Sequence, residues 1–565
     1  MATNDSLVLD AVGFAFDDGT EIFDELTATF GQGITGVIGP NGLGKSVLLR
    51  LLSGELEPTL GKISRPPNVA VLPQRLTLQS ERTVAELLGV GEVLAAIDEL
   101  TEGEPDAERA AVLLERIGDQ WDAKERSLAA LSELGIGSLS AEEGTLARQV
   151  GTLSGGEAML VALAGLRLQE PELTLLDEPS NHLDAPARAA LIASLGSWPG
   201  IVVVVSHDRE LLRAAHAIAQ LRPRRVRAGR ADGVVLEMFG GGWEDFEERT
   251  AALRGAQERA VRDAESGLAR ERRTAQAAQS ALAASARQGK IAAQSMPKIL
   301  ANTRKNVAEG TAGRVKSMHA ARVAHSQEAL EEAQEALRDV GGIDIDLPGT
   351  RLGAGTVALV GQVPRFLGDA GAPGAPGASG GEVPRLFDDG TPLPAGSPLE
   401  VRGPERVALT GPNGAGKSRL LEELLPGARV PVGVLRQRAG AAGADPLDFR
   451  DDDSVLANLL RCTPGLLESE ARSLLARLRL RGARVLEPYG RLSGGERFRV
   501  DLAAVLTADP APSLLVLDEP SNDLDLDSID ELQEALRGYG GALIVVSHDA
   551  DFLSRLGVTR GWELR

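Results

Sequence analysis

The apolar residues of this chain fall into two kinds of run. Short runs of five or six, rich in Val, Ile and Leu, have the length of strands: "GITGVI" (33–38), "LTLLD" (173–177), "IVVVVS" (201–206), "RVALT" (406–410), "LLVLD" (514–518) and "ALIVVS" (542–547). They are continuous rather than alternating, the pattern of strands covered on both faces in parallel sheets. Helix-forming runs, "VLLRLL" (47–52) and "RLLEELL" (419–425), come soon after the strands at 33–38 and 406–410. The reading is α/β, in two halves.

Between the halves the pattern changes. Residues 243–286 hold no proline and no turn cluster, and are dense in Ala, Arg, Glu and Gln. About forty such residues make a helix of roughly 60 Å. A second helical run, 311–340, spaces Val323, Leu330 and Leu337 seven apart, with Val340 after them, a stripe for a partner helix. Gly289 and Pro297 interrupt the pattern and predict a turn. The prediction is an antiparallel helical hairpin over 243–341, between domains at 1–242 and 342–565.

Composition narrows the class. A chain of 565 residues exceeds one core, and 43% hydrophobic with 25% charged residues is ordinary for a globular protein. Cys462 is the only cysteine, which rules out an internal disulfide and cysteine metal clusters and fits a reducing cytoplasm. The start, "MATNDSLVLDAVGF", lacks the basic and apolar regions of a secretion signal. No apolar run approaches the eighteen or so residues of a membrane span. Net charge is −21, so any nucleic-acid signal must be local. One exists: residues 285–325 carry eight Lys and Arg against the single acid Glu309. Basic residues at the end of a hairpin suit a phosphate backbone, and the absence of aromatics there favours structured RNA over a stacked single strand.

Four motifs occur twice in the same order. "GPNGLGKS" (39–46) returns as "GPNGAGKS" (411–418), "LSGGE" (153–157) at 492–496, "TLLDEPSNHLD" (174–184) as "LVLDEPSNDLD" (515–525), and "VVVVSHD" (202–208) as "LIVVSHD" (543–549). The first is a phosphate loop: Gly39, Asn41, Gly42 and Gly44, and Gly411, Asn413, Gly414 and Gly416, shape backbone N–H groups around phosphate at a helix N-terminus. Lys45 and Lys417 reach the β- and γ-phosphates, and Ser46 and Ser418 hold Mg²⁺. Asp177 and Asp518 assist the metal, and Glu178 and Glu519 orient or polarise the attacking water. His207 and His548, at equal offsets beyond the acid pair, are read as sensing the γ-phosphate; Gln74 and Gln437 follow strands where a residue linked to Mg²⁺ and water belongs. Phe16 and Phe387, 23 and 24 residues before a phosphate loop, are candidates to stack on adenine, though either could be core.

These motifs resemble those of the ATP-binding cassette ATPases. The resemblance implies two P-loop NTPase cassettes closing head to tail on two ATP molecules. Ser493, Gly494 and Gly495 would then complete the site of Lys45 and Glu178, and Ser154, Gly155 and Gly156 that of Lys417 and Glu519. The signatures differ: "LSGGEAML" has Ala158 and Met159, whereas "LSGGERFR" keeps Arg497 and Arg499. Both sites keep the full catalytic set, so two competent sites are expected, the one using the first signature being the weaker case.

Two cassettes, no membrane span and a long charged linker together resemble the ABC-F subfamily. In that family the linker hairpin enters the ribosome's exit site for tRNA, with its tip towards peptidyl-tRNA and large-subunit rRNA, and ATP hydrolysis favours release. By position, Lys290, Lys298, Arg304 and Lys305 would be RNA contacts, with Met296 to Leu300 nearest the catalytic centre. The implied protein is a cytoplasmic monomer with its cassettes paired within the chain, acting in antibiotic protection or translation regulation. Between glutamine and signature the first half has 79 positions and the second 55, little room for the arm of some housekeeping members. The stretch 368–382, "GDAGAPGAPGASGGE", reads as a solvated insertion. The competing reading is the ATP-hydrolysing subunit of a membrane exporter whose spans lie on another chain; against it, such a pair needs a tether, not a basic hairpin. Repair or chromosome-organising ATPases interrupt a cassette instead, and an iron–sulfur recycling factor needs cysteines this chain lacks.

Overall fold

The computed structural model describes the chain apart from residues 1–5, 73–80, 104, 137–138, 140–143, 182, 225–232, 294–297, 339–347, 368–384, 437–446, 448, 479, 481 and 523, and apart from the side chains of 289–309, 311 and 335–348. Contacts divide the chain into two compact units, Met1–Trp243 with Ile343–Arg565, and Glu244–Gly342.

In the first unit each half is built on a mainly parallel sheet. The first half contributes β1 (Leu7–Ala15), β2 (Glu21–Phe30), β3 (Gly33–Ile38), β4 (Leu60–Ser64), β5 (Val69–Val71), β6 (Leu173–Asp177), β7 (Ile201–Val205), β8 (Ala217–Pro223) and β9 (Val234–Gly240). The second contributes β10 (Val357–Gln362), β11 (Leu386–Asp388), β12 (Thr391–Leu393), β13 (Pro398–Arg402), β14 (Arg406–Thr410), β15 (Val432–Arg436), β16 (Leu514–Asp518), β17 (Ala542–Val546) and β18 (Arg560–Leu564). Among the described residues the strand orders are β5-β6-β7-β3-β8-β9 and β15-β16-β17-β14-β18-β11-β12. Position by position the two rows match, except at the edge beyond β8 and β18. There β9 closes the first sheet from downstream, while β11 closes the second from upstream; both pair antiparallel. Smaller antiparallel sheets, β2-β1-β4 and β10-β13, accompany the two halves.

Alternate residues of the central strands enter separate cores. Leu514, Val516, Ala542, Ile544 and Val546 join the core beside the phosphate-loop helix, while Leu515, Leu517, Leu543 and Val545 join the core formed with the signature helix. This accounts for the unbroken apolar runs: both faces are covered, so neither parity is polar. Each fully buried Leu or Val in these rows contributes roughly 1.5–3 kcal/mol.

The helices that carry the site are α1 (Lys45–Ser53), α2 (Gly155–Leu168), α3 (Ala185–Gly196) and α4 (Arg209–Arg213) in the first half; α7 (Lys417–Leu424), α8 (Gly494–Leu506), α9 (Leu526–Gly538) and α10 (Ala550–Arg555) in the second. The longer stretch before the first signature holds the helices Gly91–Glu102 and Ala107–Ile117, packed around a small core of Ala96, Leu113 and Ile117.

The second unit is the hairpin, α5 (Trp243–Ala293) and α6 (Lys298–Arg338). Helix α5 runs straight through Gly289, where the sequence suggested a break, and α6 begins at Lys298, directly after Pro297 in sequence and thirteen residues before the expected start. Proline is compatible with a helix start and incompatible with an interior, whereas one glycine costs a helix only about 1 kcal/mol. Ala275, Ala278 and Leu282 of α5 line a common cavity with Val315, His319 and Val323 of α6.

Candidate active sites

Each phosphate loop leaves the carboxyl end of a central strand, β3 or β14, where ligands of open parallel sheets bind. Gly44 and Gly416 show why the motif is glycine-rich. Both cap the following helix with left-handed backbone (φ 89° and 94°), and a Cβ would lie 2.7 Å from Ile22 or 3.0 Å from the Phe366 ring. Lys45 Nζ donates to the carbonyls of Gly39 (2.7 Å) and Pro40 (3.3 Å) and to Asn41 Oδ1 (3.0 Å). Lys417 Nζ donates to the carbonyls of Gly411 (2.8 Å) and Pro412 (3.2 Å), and lies 2.7 Å from His548 Nε2. Both lysines therefore stand beneath the loop, where phosphate oxygens would take over from the carbonyls.

The acid pairs end β6 and β16. Ser46 Oγ donates to Asp177 Oδ2 at 2.8 Å, and Ser418 Oγ to Asp518 Oδ2 at 3.2 Å. Two oxygen ligands and no nitrogen or sulfur fit Mg²⁺, which keeps waters and phosphate oxygens in its remaining positions. Burial raises both aspartates above the ordinary carboxylate value. The following residues, Glu178 and Glu519, take left-handed backbone at φ 48°. Each is fixed there by its N–H donating to the neighbouring strand, at Val205 O or Val546 O, 2.9 Å in both. Non-glycine residues seldom adopt this backbone, and those that do cluster at functional sites. Burial pushes Glu178 up to about 8 and Glu519 to about 7. It pushes His207 down to about 3 and His548 down to about 4, each aided by the nearby lysine.

The two histidines are placed differently. His207 Nε2 is 3.2 Å from Glu178 Oε1, without the alignment of a hydrogen bond. His548 Nε2 is 3.4 Å from Glu519 Oε1 but also 3.1 Å from Asn413 Oδ1 and within reach of Lys417. A neutral imidazole can accept from that ammonium.

Signature serines open α2 and α8 as capping boxes. Ser154 Oγ accepts from the Glu157 N–H and Ser493 Oγ from Glu496, and each glutamate reaches back to the serine's N–H. Gly155 and Gly494 are the first residues of these helices. A Cβ at Gly156 would lie 3.1 Å from Ala187, and one at Gly495 2.7 Å from Ser528, so each signature abuts the helix after its own "SNxLD" loop. The loop of the second half and the helix after that of the first meet the opposite half: the Asn41 N–H donates to Asp525 Oδ2 at 2.8 Å, and Arg188 Nη1 to the carbonyl of His548 at 3.3 Å. A contact path thus runs from Gly495 through Ser528 and Asp525 to the first phosphate loop.

Some placements differ from expectation. Phe16 lies at the turn after β1, 39% exposed, with Phe14 edge-to-face at 5.1 Å. Phe387 lies instead on β11, in the hairpin with β12 at the sheet's edge, under the guanidinium of Arg565 at 4.7 Å. Its repeated "FDDGT" context serves edge closure in the second half, and the aromatic beside that phosphate loop is Phe366, with Arg419 stacked at 4.2 Å. Gln74, Gln437 and the insertion 368–382 lie outside the described residues. Lys290 falls in α5, and Lys298, Arg304 and Lys305 in α6; their side chains also lie outside. Sequence reasoning missed Arg188, Arg209, Asp525 and Asp530, all of which face across the two halves. The available signal was a difference: Arg188 aligns with Ile529 and Arg209 with Ala550.

Residues 24–181 and 396–522 match the family described as "ABC transporter". The chain is similar to "Tylosin resistance ATP-binding protein TlrC" of Streptomyces fradiae, at 32% identity covering 92% of this chain and 90% of that protein. It is similar to "Energy-dependent translational throttle protein EttA" of Escherichia coli strain K12 at 29% identity, covering 92% and 85%. Among solved structures, that of archaeal ribosome recycling factor aABCE1 with the stalk protein aP1 superposes with a TM-score of 0.51 at 18% identity, over 98% of this chain and 89% of that one. At that identity the likeness concerns the fold.

Proposed function

Since the chain belongs to the ATP-binding cassette family, within it to the ABC-F group, and is an ATPase, we propose that it acts on the ribosome in the cytoplasm as a single chain. The two cassettes close on two ATP molecules, each site drawing the opposite cassette's signature. The closed form binds the ribosome and places the hairpin at the tRNA exit site, with Lys290, Lys298, Arg304 and Lys305 on RNA. Hydrolysis releases it.

At each site Lys45 or Lys417 holds the terminal phosphates. Ser46 with Asp177, and Ser418 with Asp518, hold Mg²⁺, which when bound neutralises charge developing on the phosphates. Glu178 and Glu519 orient and polarise the attacking water. Burial raises both glutamates, and it is the ionised carboxylate that can take a proton from that water.

The observation that carries this reading is the pair of long helices, 51 and 41 residues, between two cassettes whose loops already touch each other's sites. Among the described residues no helix is long and apolar enough to cross a membrane. The relatives' names, translational throttling in one and tylosin resistance in the other, support translation regulation or protection from an antibiotic as the purpose. The test uses the double variant Glu178→Gln, Glu519→Gln. It should co-sediment with ribosomes in ATP and not in ADP, and neutralising the four basic residues should weaken binding. Failure to co-sediment with ATP bound would turn the search to a membrane partner.

A further inference from the structure

The catalytic groups are repeated in both halves, but what the opposite half brings to each is not. Arg188 and Ile529 occupy the same helical position, four residues after Asp184 and Asp525. Both stand in the first turns of the helix following the loop that crosses to the other half. Ile529 is 4% exposed and belongs to the core of its own half. Arg188 turns the other way. Its guanidinium is largely buried, Nε 3.2 Å from Asp208, and Nη1 donates to the carbonyl of His548. That histidine's ring lies between Lys417 and Glu519. A cation from the first half therefore holds the backbone that positions the second site's histidine. The main charges acting on Glu178 come from its own half, Lys45, Asp177 and Asp208, whereas Arg188 is among those acting on Glu519.

We propose that Arg188 is a positioning residue that acts more strongly on the second site than on the first, fixing the backbone of His548 and with it the Glu519–His548–Lys417 arrangement, so that the two ATP sites cleave at rates governed by different residues. The inference rests on the ATP-hydrolysing role and not on the ribosome. It bears on a specific difference: the second site is the one expected to use the first signature, where Ala158 stands in place of Arg497. Arg188 places a cation near that site from another element.

Single-turnover ATP cleavage by the full chain separates the sites. In a Glu178→Gln background only the second site cleaves, and in a Glu519→Gln background only the first. Arg188→Met keeps the stem and removes the charge; it should slow cleavage about tenfold in the first background, since the residue acts through a neighbour rather than on the reacting atoms. The loss in the other background should stay below about twofold. Arg188→Lys, which keeps the charge and favours a folded interface, should recover part of the loss. Equal losses in both backgrounds would make Arg188 an interface contact only and overturn the proposal. So would no loss in either, or a loss confined to the first site. Because neither background involves ribosomes, the ribosome-binding experiment can fail without affecting this result.

Discussion

Glu178 and Glu519 combine left-handed backbone, which costs conformational strain, with burial, which disfavours the ionised carboxylate. A carboxyl whose folded value is raised from 4.5 to about 8 favours the folded state while it is protonated, and that contribution is lost as pH rises across the interval. Glutamine copies the neutral shape and does not ionise. Glu178→Gln should therefore match the parent's melting temperature near pH 4.5 and exceed it progressively towards pH 8 in the absence of nucleotide. A melting series against pH checks this, and a constant offset would contradict it. Residues of this kind were legible in the sequence because phosphate, metal and water each demand a particular side chain at a particular spacing. Arg188 and Arg209 were not, because what they touch depends on how two separately encoded surfaces meet. Phe387 misled for a related reason: the same five letters follow β1 in one half and form an edge hairpin in the other.

Among the elements, strands were the most readable. Their apolar runs stated both that they were strands and that both faces were covered. The hairpin was legible as two helices but not in its ends. A glycine in a helix of 51 residues is outweighed by its neighbours, so α5 passes Gly289, while the proline at 297 sets where α6 can begin. Glycines inside these helices weaken them without serving contacts: nothing lies within 4 Å of a Cβ placed at Gly310 or Gly313. Replacing both with alanine should strengthen α6 by about 1 kcal/mol per site, read as slower amide exchange along 305–320. Unchanged exchange would contradict this.

Across the whole first unit, the two halves are fastened more firmly on one side than on the other. Arg209 pairs with Asp530 (2.5 Å) and Asp551 (3.3 Å), and Arg213 with Asp551 (2.9 Å). The matching positions, Ala550, Ser554, Ala189 and Glu210, include no cation and cannot form such a cluster. Burial alone would raise Asp551, but the Arg213 hydrogen bond and the charges of Arg555 and Arg209 hold it below the ordinary value. Exposure decides which carboxylate matters more: Asp551 is 14% exposed and Asp530 52%. Asp551→Ala should thus weaken the chain by roughly 2–4 kcal/mol, leaving Arg209 in a buried setting, and Asp530→Ala by less than about 1 kcal/mol. Urea unfolding of the two variants, compared with the parent, gives the ranking directly.

The edge strands bear on how the molecule is made. Every strand of the first large sheet comes from residues 33–240, so that sheet can seal once those residues have left the synthesising ribosome. In the second, β18 lies inside the row, between β14 and β11, and carries the fully buried Trp562. Until Arg560–Leu564 has been polymerised and has emerged, that sheet exists as two fragments with facing, unpaired edges and an empty slot for an indole. Closure of the second sheet thus waits for a strand of five residues, although the core formed with the signature helix contains none of them.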